Sequence, residues 1–336
     1  MRGIKGAVIA LVLLSFMGRA QAAVSPDVDF FKGKVISYIV ATKPGGGYDA
    51  YARLIGRYMQ KYLPGVTLTI RYVPGAGHII GANAVYSAKP DGLTIGTFNS
   101  YLSYSQLVGA PGIQFDMNKY SYIGKASSDT RVFIVGAQTP YKSMDDILAS
   151  REPVKLAAGG VGSAAYNDVL VLAAATGANI KVIPGYAGQE DVMAILRGEV
   201  AGLIGSYAGL ANFIKTKQCR ILLQMGAKKH GELKDVLLAR DMKISEKGKK
   251  ILSVFDGTAE LGRLTAAPPN VRETRLQALR DAYKKALADP QLLMDAARYD
   301  LNIDPDFSDN VTKMVKASMQ QPPENMEILK KIMKGG

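Results

Sequence analysis

The 336-residue chain contains one cysteine, two histidines and no tryptophan. Cys219 alone cannot close an internal disulfide, and no cysteine-based zinc or iron–sulfur site can be built from it. His78 and His230 are too few for a histidine-rich metal centre, and a His-Glu-x-x-His run is absent. No Gly-x-Ser-x-Gly elbow occurs either. The longest apolar run, Ala7 to Met17, is eleven residues broken only by Ser15. That is short of the roughly 18–20 residues needed to cross a bilayer. Acidic residues are the scarcer charge, 29 against 42 Lys plus Arg, for a formal +13.

What remains is ordinary globular material, 48% hydrophobic and 21% charged, unlike a disordered chain. At about 100–200 residues per domain the length suggests two domains. Residues 1–22 read as a secretory signal peptide: Arg2 and Lys5 form a positive start, the apolar run follows, and Ala20-Gln21-Ala22 supplies a small-x-small cleavage pattern. No cysteine follows at which a lipid could be attached. The exported chain keeps a net charge of +10, which is dispersed. Lys228-Lys229 and the lysines of 247–250 form small clusters without interleaved aromatics. Export and dispersed charge exclude nucleic acid as a partner and suit small anions.

The exported part alternates strand-like and helix-like patterns. Val35 to Val40 is β-branched and aromatic, as a buried strand requires. Tyr51, Leu54, Ile55, Tyr58, Met59 and Tyr62 follow at helical spacing. Strands are expected again at Val66–Tyr72 and Leu93–Phe98, with a helix over Ile79–Ala88 between them. A second run of the same kind begins near Tyr120, with strands at Val132–Gly136, Lys155–Ala158, Lys181–Ile183, Val200–Ile204 and Arg220–Met225. Within it, Ser163 is placed to cap a helix that Gly177 closes. The charge-rich stretch Lys228 to Lys250 reads as exposed, and from Pro268 onward the chain reads as mostly helical. This order implies α/β lobes with helices on parallel sheets.

Three glycine loops stand at the carboxyl ends of expected strands and open helices: residues 44–49, 74–78 and 159–163. Ligands of open α/β sheets bind at such strand ends, and free N–H groups at a helix start favour an anion. None of the three is a nucleotide loop: the third lacks the Gly-Lys-Ser/Thr ending, and Gly75 to Gly81 is one residue too long for the dinucleotide fingerprint. Asp49 suits the first turn of a helix better than the role of a catalytic acid. Lys43, Tyr48, His78 and Tyr186 stand beside these glycines as further candidates. Cys219, with no histidine nearby in sequence, reads as a passive thiol.

Pro44-Gly45-Gly46-Gly47-Tyr48-Asp49-Ala50-Tyr51-Ala52-Arg53, then Val73-Pro74-Gly75-Ala76-Gly77, Lys89-Pro90-Asp91-Gly92, Gly160-Val161-Gly162-Ser163, Ile183-Pro184-Gly185-Tyr186 and Leu196-Arg197-Gly198-Glu199-Val200 occur in that order. This collinear set resembles the periplasmic solute receptors of tripartite tricarboxylate transporters, the TctC-like or Bug family. The resemblance implies a two-lobed α/β Venus-flytrap fold of type II, each lobe a mainly parallel sheet flanked by helices. It divides the chain into lobe 1 (23–126 plus 252–336) and lobe 2 (127–251). It further implies a monomeric, cofactor-free, metal-free binding protein of the periplasm rather than an enzyme. Such a protein would hold a small organic acid (a di-, tri- or aromatic carboxylate) and pass it to membrane transporter subunits. Carried onto matching positions, the ligand-binding set is Thr42, Gly45, Gly46, Gly47 and Asp49, then Gly75, Ala76 and Gly77, then Asn99 and Ser100, and across the cleft Gly162, Ser163 and Tyr186. Three positions depart from the family: Tyr166 stands where a histidine is usual, Ala201 where Asp is frequent, and His78 where glycine is common. An exported α/β hydrolase acting on an anionic ester, or a receptor feeding a signalling kinase, are the alternative readings.

Overall fold

The computed structural model describes residues 26–331 except 187, 227, 322–325 and 328. The signal segment, residues 1–22, therefore lies outside the described residues. The chain opens with β1 (Val35–Val40), α1 (Gly47–Tyr62), β2 (Thr67–Tyr72), α2 (Ile79–Tyr86), β3 (Thr94–Thr97), α3 (Leu102–Leu107) and β4 (Ser121–Lys125). It then crosses to β5 (Arg131–Gly136), α4 (Met144–Leu148), β6 (Val154–Ala157), α5 (Ala164–Thr176), β7 (Ile180–Ile183), α6 (Glu190–Leu196), β8 (Gly202–Ser206), α7 (Tyr207–Lys215), β9 (Cys219–Met225) and α8 (Glu246–Glu260). It returns through β10 (Leu264–Ala267), α9 (Glu273–Leu287), α10 (Pro290–Arg298), β11 (Asp306–Phe307) and α11 (Ser308–Met319).

The strands form two sheets, ordered β11-β4-β10-β3-β1-β2 and β7-β6-β8-β5-β9. Both are mixed. β1 pairs parallel with β2 and β3, and β6 pairs parallel with β7 and β8, whereas β10, β11, β5 and β9 join antiparallel. The antiparallel half of each sheet contains the strands next to the crossings, β4 and β10 in one and β5 in the other. A chain that leaves one sheet for the other is not bound to the helical crossover that makes neighbours parallel.

Local chemistry explains the elements that place the site. Ile36 and Val40 on β1 are fully buried, and parallel neighbours β2 and β3 pair both edges of the strand. The Tyr51, Leu54, Ile55, Tyr58, Met59 stripe of α1 packs against Leu276, Leu279, Ala282 and Tyr283 of α9. Each such side chain contributes about 1.5–3 kcal/mol on full burial. Ser163 Oγ accepts the Tyr166 N–H at 3.2 Å, and Gly177 closes α5 at φ +70.

One part of the chain departs from expectation. The stretch 228–250 buries Leu233, Leu238, Ala239 and Met242. It is pinned by the fully buried Gln224, whose Nε2 donates to the carbonyls of Leu233 (2.7 Å) and Val236 (2.8 Å). Tyr101, Tyr104 and Val108, around α3, join the core of the second sheet, with Phe133, Leu156, Val169 and Leu223. The two crossings between sheets are hydrogen-bonded to each other: Ala126 N–H to Arg263 O at 3.0 Å, Arg263 N–H to Ser127 O at 3.0 Å, and Asp129 N–H to Ala259 O at 2.8 Å. A Cβ on Gly262 would lie 2.3 Å from Asp129 N, so only glycine allows this approach.

Candidate functional site

A cleft of about 440 Å³ opens between the two sheets at the carboxyl ends of their parallel strands. Its walls contain the starts of four helices. Gly46 and Gly47 open α1, Ser163 and Ala164 open α5, Gln189 and Asp191 open α6, and Ser206 opens α7. Of these, the α5 start is capped by Ser163, and in the first turn of α6 Asp191 Oδ1 accepts the Val192 N–H at 2.7 Å. First-turn N–H groups and the positive ends of the helix dipoles therefore face one space.

Of the residues named from sequence, Thr42, Gly45, Gly46, Gly47, Gly75, Ala76, Gly77, Ser163 and Tyr186 line this cleft, as do Lys43, Tyr48 and His78. Asp49 turns the other way. Its carboxylate accepts the Gly45 N–H (2.9 Å), the Tyr72 hydroxyl (2.6 Å) and Arg53 Nε (2.7 Å), so it shapes the first loop from behind. Asn99 is buried behind the second loop and donates through Nδ2 to Gly77 O at 2.9 Å, and Ser100 is buried beside it. Gly162 meets the opposite wall, since a Cβ on Gly77 would lie 2.5 Å from the Gly162 carbonyl carbon. Tyr166 is buried within α5, and the buried Cys219 thiol is pushed up by its surroundings, which fits a passive role.

The functional residues that sequence patterns do not mark are two arginines in the cleft wall, Arg131 and Arg263. Arg131 Nε donates to Asp168 Oδ2 at 2.6 Å, Nη1 reaches Asp129 at 3.5 Å, and Nη2 donates to Ile204 O at 3.2 Å. Arg263 Nη2 donates to Asp129 Oδ1 at 3.0 Å and to Ser206 Oγ at 2.7 Å. Asp168, with no exposed surface, also accepts the Tyr101 hydroxyl at 2.7 Å, which carries the network across to the other half of the molecule. Burial opposes the charge on each arginine, but the carboxylates outweigh it and hold both protonated. The Arg263 guanidinium lies 4.5 Å from the Tyr48 ring centroid and directly beneath Gly47, and its Nε and Nη1 make no hydrogen bond among the described residues. Burial pushes the Tyr48 hydroxyl up to about 12 and the Asp191 carboxyl up to about 6. No local signal marks Arg131 or Arg263 in sequence, because only the crossings bring them together.

Two α/β units joined by paired crossings, with a cleft between their strand ends, are the architecture of periplasmic binding proteins. Solved structures agree. The periplasmic binding protein BugD superposes with a TM-score of 0.74 at 21% identity, covering 89% of this chain and 97% of that one. MatC from Rhodopseudomonas palustris, solved with malate bound, gives 0.72 at 18% identity over 89% and 99%. Among curated sequences, the UPF0065 protein in the gbd 5′ region of Cupriavidus necator is 26% identical over 304 residues, 89% of this chain and 86% of that protein. The profile described as "Tripartite tricarboxylate transporter family receptor" matches residues 51–332. The chain belongs to that family. The family and the fold are those of binding proteins, and no helix of the described residues is long and apolar enough to cross a membrane.

Proposed function

We propose that this protein captures an organic acid as its carboxylate in the cleft and delivers it to the membrane subunits of a tripartite transporter. The observation that carries this reading is the meeting of four helix amino termini with the buried Arg263 and the partly buried Arg131 in one cleft between the sheets. That arrangement stabilises a negative charge from both sides. The malate bound by MatC is a carboxylate of the same kind. Thr42, the glycines of the first two loops, Ala76, Ser163 and Tyr186 contact the ligand, while Asp49, Asn99, Ser100 and Gly162 hold the loops that do so. Residues 1–22 direct export to the periplasm, where the chain works as a monomer. The two lobes meet at the paired crossings and close on the ligand by bending there. A ligand bound only in the closed form raises that form's population, which is what a transporter would read.

A thermal-shift screen of the protein from Ala23 onward, unfolded, dialysed and refolded to remove any carried ligand, tests the reading. Malate, adipate, citrate, benzoate, amino acids and phosphate form the panel. A ligand at 100 times its Kd adds about 2.7 kcal/mol, a rise of several degrees at about 2–4 °C per kcal/mol. A rise confined to carboxylates supports the proposal, and a flat response to every acid refutes it.

A further inference from the structure

The second glycine loop is held in an unusual shape. Four successive residues have positive φ: +130 at Gly75, +45 at Ala76, +60 at Gly77 and +82 at His78. Side chains at Ala76 and His78 are disfavoured there, and glycine would fit both positions more easily. A histidine kept in such a conformation on the wall of a ligand cleft calls for a functional account.

Its hydrogen bonding supplies one. The Asn99 backbone N–H points at His78 Nδ1 from 3.1 Å. A backbone N–H can only donate, so Nδ1 must carry a lone pair, and the proton of the neutral ring must sit on Nε2. Asn99 also donates through its side chain to Gly77 O at 2.9 Å, so one residue fixes both the loop and the ring. Tyr48 packs edge-on against the imidazole at 5.0 Å between centroids. The charged groups that face the ring are Arg263 and Arg131, both cations. With burial, which is the larger effect, they push its pKa down to about 3. Nε2 makes no hydrogen bond to any described residue, while His78 lines the cleft.

We propose that His78 is a specificity-determining ligand contact, its Nε2–H donating to a carboxylate oxygen while Asn99 locks the tautomer. This rests on the carboxylate reading above. The consequence is a fixed, neutral donor where a charged group would titrate. An anionic oxygen is accepted there across the physiological pH range, and an ammonium group finds no acceptor.

Because the chain has only two histidines, ring-¹⁵N-histidine labelling gives a spectrum of two imidazoles. His78→Phe assigns the His78 signals by their loss. In the refolded protein, long-range proton–nitrogen correlation should show the Nε2–H tautomer with no titration between about pH 5 and 8. Saturation with whichever of malate, adipate, citrate or benzoate binds should move the Nε2 resonance. Calorimetry should show His78→Phe weakening that acid roughly 10- to 100-fold, as expected for a lost hydrogen bond to a charged group. An Nδ1–H tautomer, a titration near the ordinary histidine value, or an Nε2 resonance unmoved by a bound acid would each overturn the assignment while leaving the receptor reading intact. Binding of none of the four acids would overturn both.

Discussion

Gly77→Ala places a methyl group where the two walls of the cleft meet. A Cβ at Gly77 would lie 2.5 Å from the Gly162 carbonyl carbon, 2.6 Å from its oxygen and 2.9 Å from Ser163 N. All three are backbone atoms, so no side chain can turn aside. Carbon atoms rest at about 3.5–4.0 Å, so the walls must part by about 1 Å at this point. The φ of +60 adds a separate cost of about 1–2 kcal/mol for any side chain, whether the cleft is open or shut. The two effects can be read apart. Backbone strain lowers Tm by roughly 2–8 °C. In the proposed closing motion the collision acts on the form in which the walls meet, and a penalty of about 1.4 kcal/mol on that form already weakens binding tenfold. Gly160→Ala is the control, because Gly160 also lines the cleft but a Cβ there meets nothing within 4 Å. Calorimetry with the carboxylate found in the screen, and small-angle scattering with and without it, are the assays. We expect Gly77→Ala to bind at least tenfold more weakly and to compact less on ligand addition, with Gly160→Ala close to wild type. Equal affinity and equal compaction in the two variants would refute the reasoning.

Two further outcomes are expected. Asp129→Asn leaves the buried Arg263 without its carboxylate at 3.0 Å, which costs about 3–5 kcal/mol. Arg263→Met costs less, because Asp129 keeps Arg131 at 3.5 Å. The double variant should recover much of the Asp129→Asn loss in thermal denaturation, whereas simple additivity would contradict the pairing. Asp191, raised by burial to about 6, is protonated more readily in the fold than in the unfolded chain. Its stabilising contribution is therefore full below the ordinary carboxylate range and lost as pH rises through about 6. A carboxylate ligand meets a neutral Asp191 below that pH and an anion above it, so affinity should fall between about pH 5 and 7. Asp191→Asn should flatten that slope in calorimetry, and an unchanged slope would rule Asp191 out.

The glycine loops are legible in the amino-acid order because their signal is local. A strand, a Pro-Gly break and a helical stripe are written within about fifteen residues, and a capping serine such as Ser163 acts three residues ahead. Asp49 shows where local signals stop. Its place at a helix start is evident from its neighbours, but the direction of its carboxylate depends on Tyr72, which β2 brings alongside. The burial of Leu233 and Met242 within a charge-rich stretch is hidden for the same reason: Gln224, on a neighbouring strand, determines it.

The alternation of elements, the positions where the backbone needs glycine and the collinear motifs of the family are properties of the chain alone. Each depends on residues a few positions apart, where sterics and hydrogen-bond geometry act directly. Which side chains meet in the cleft is settled by tertiary folding. Arg131 opens β5 just past one crossing and Arg263 ends the other, and nothing along the chain marks them out among 42 cationic residues. Their burial, their charge and the neutrality of His78 follow from neighbours that folding brings together, because electrostatic energies depend on distance and burial in space rather than on separation in sequence.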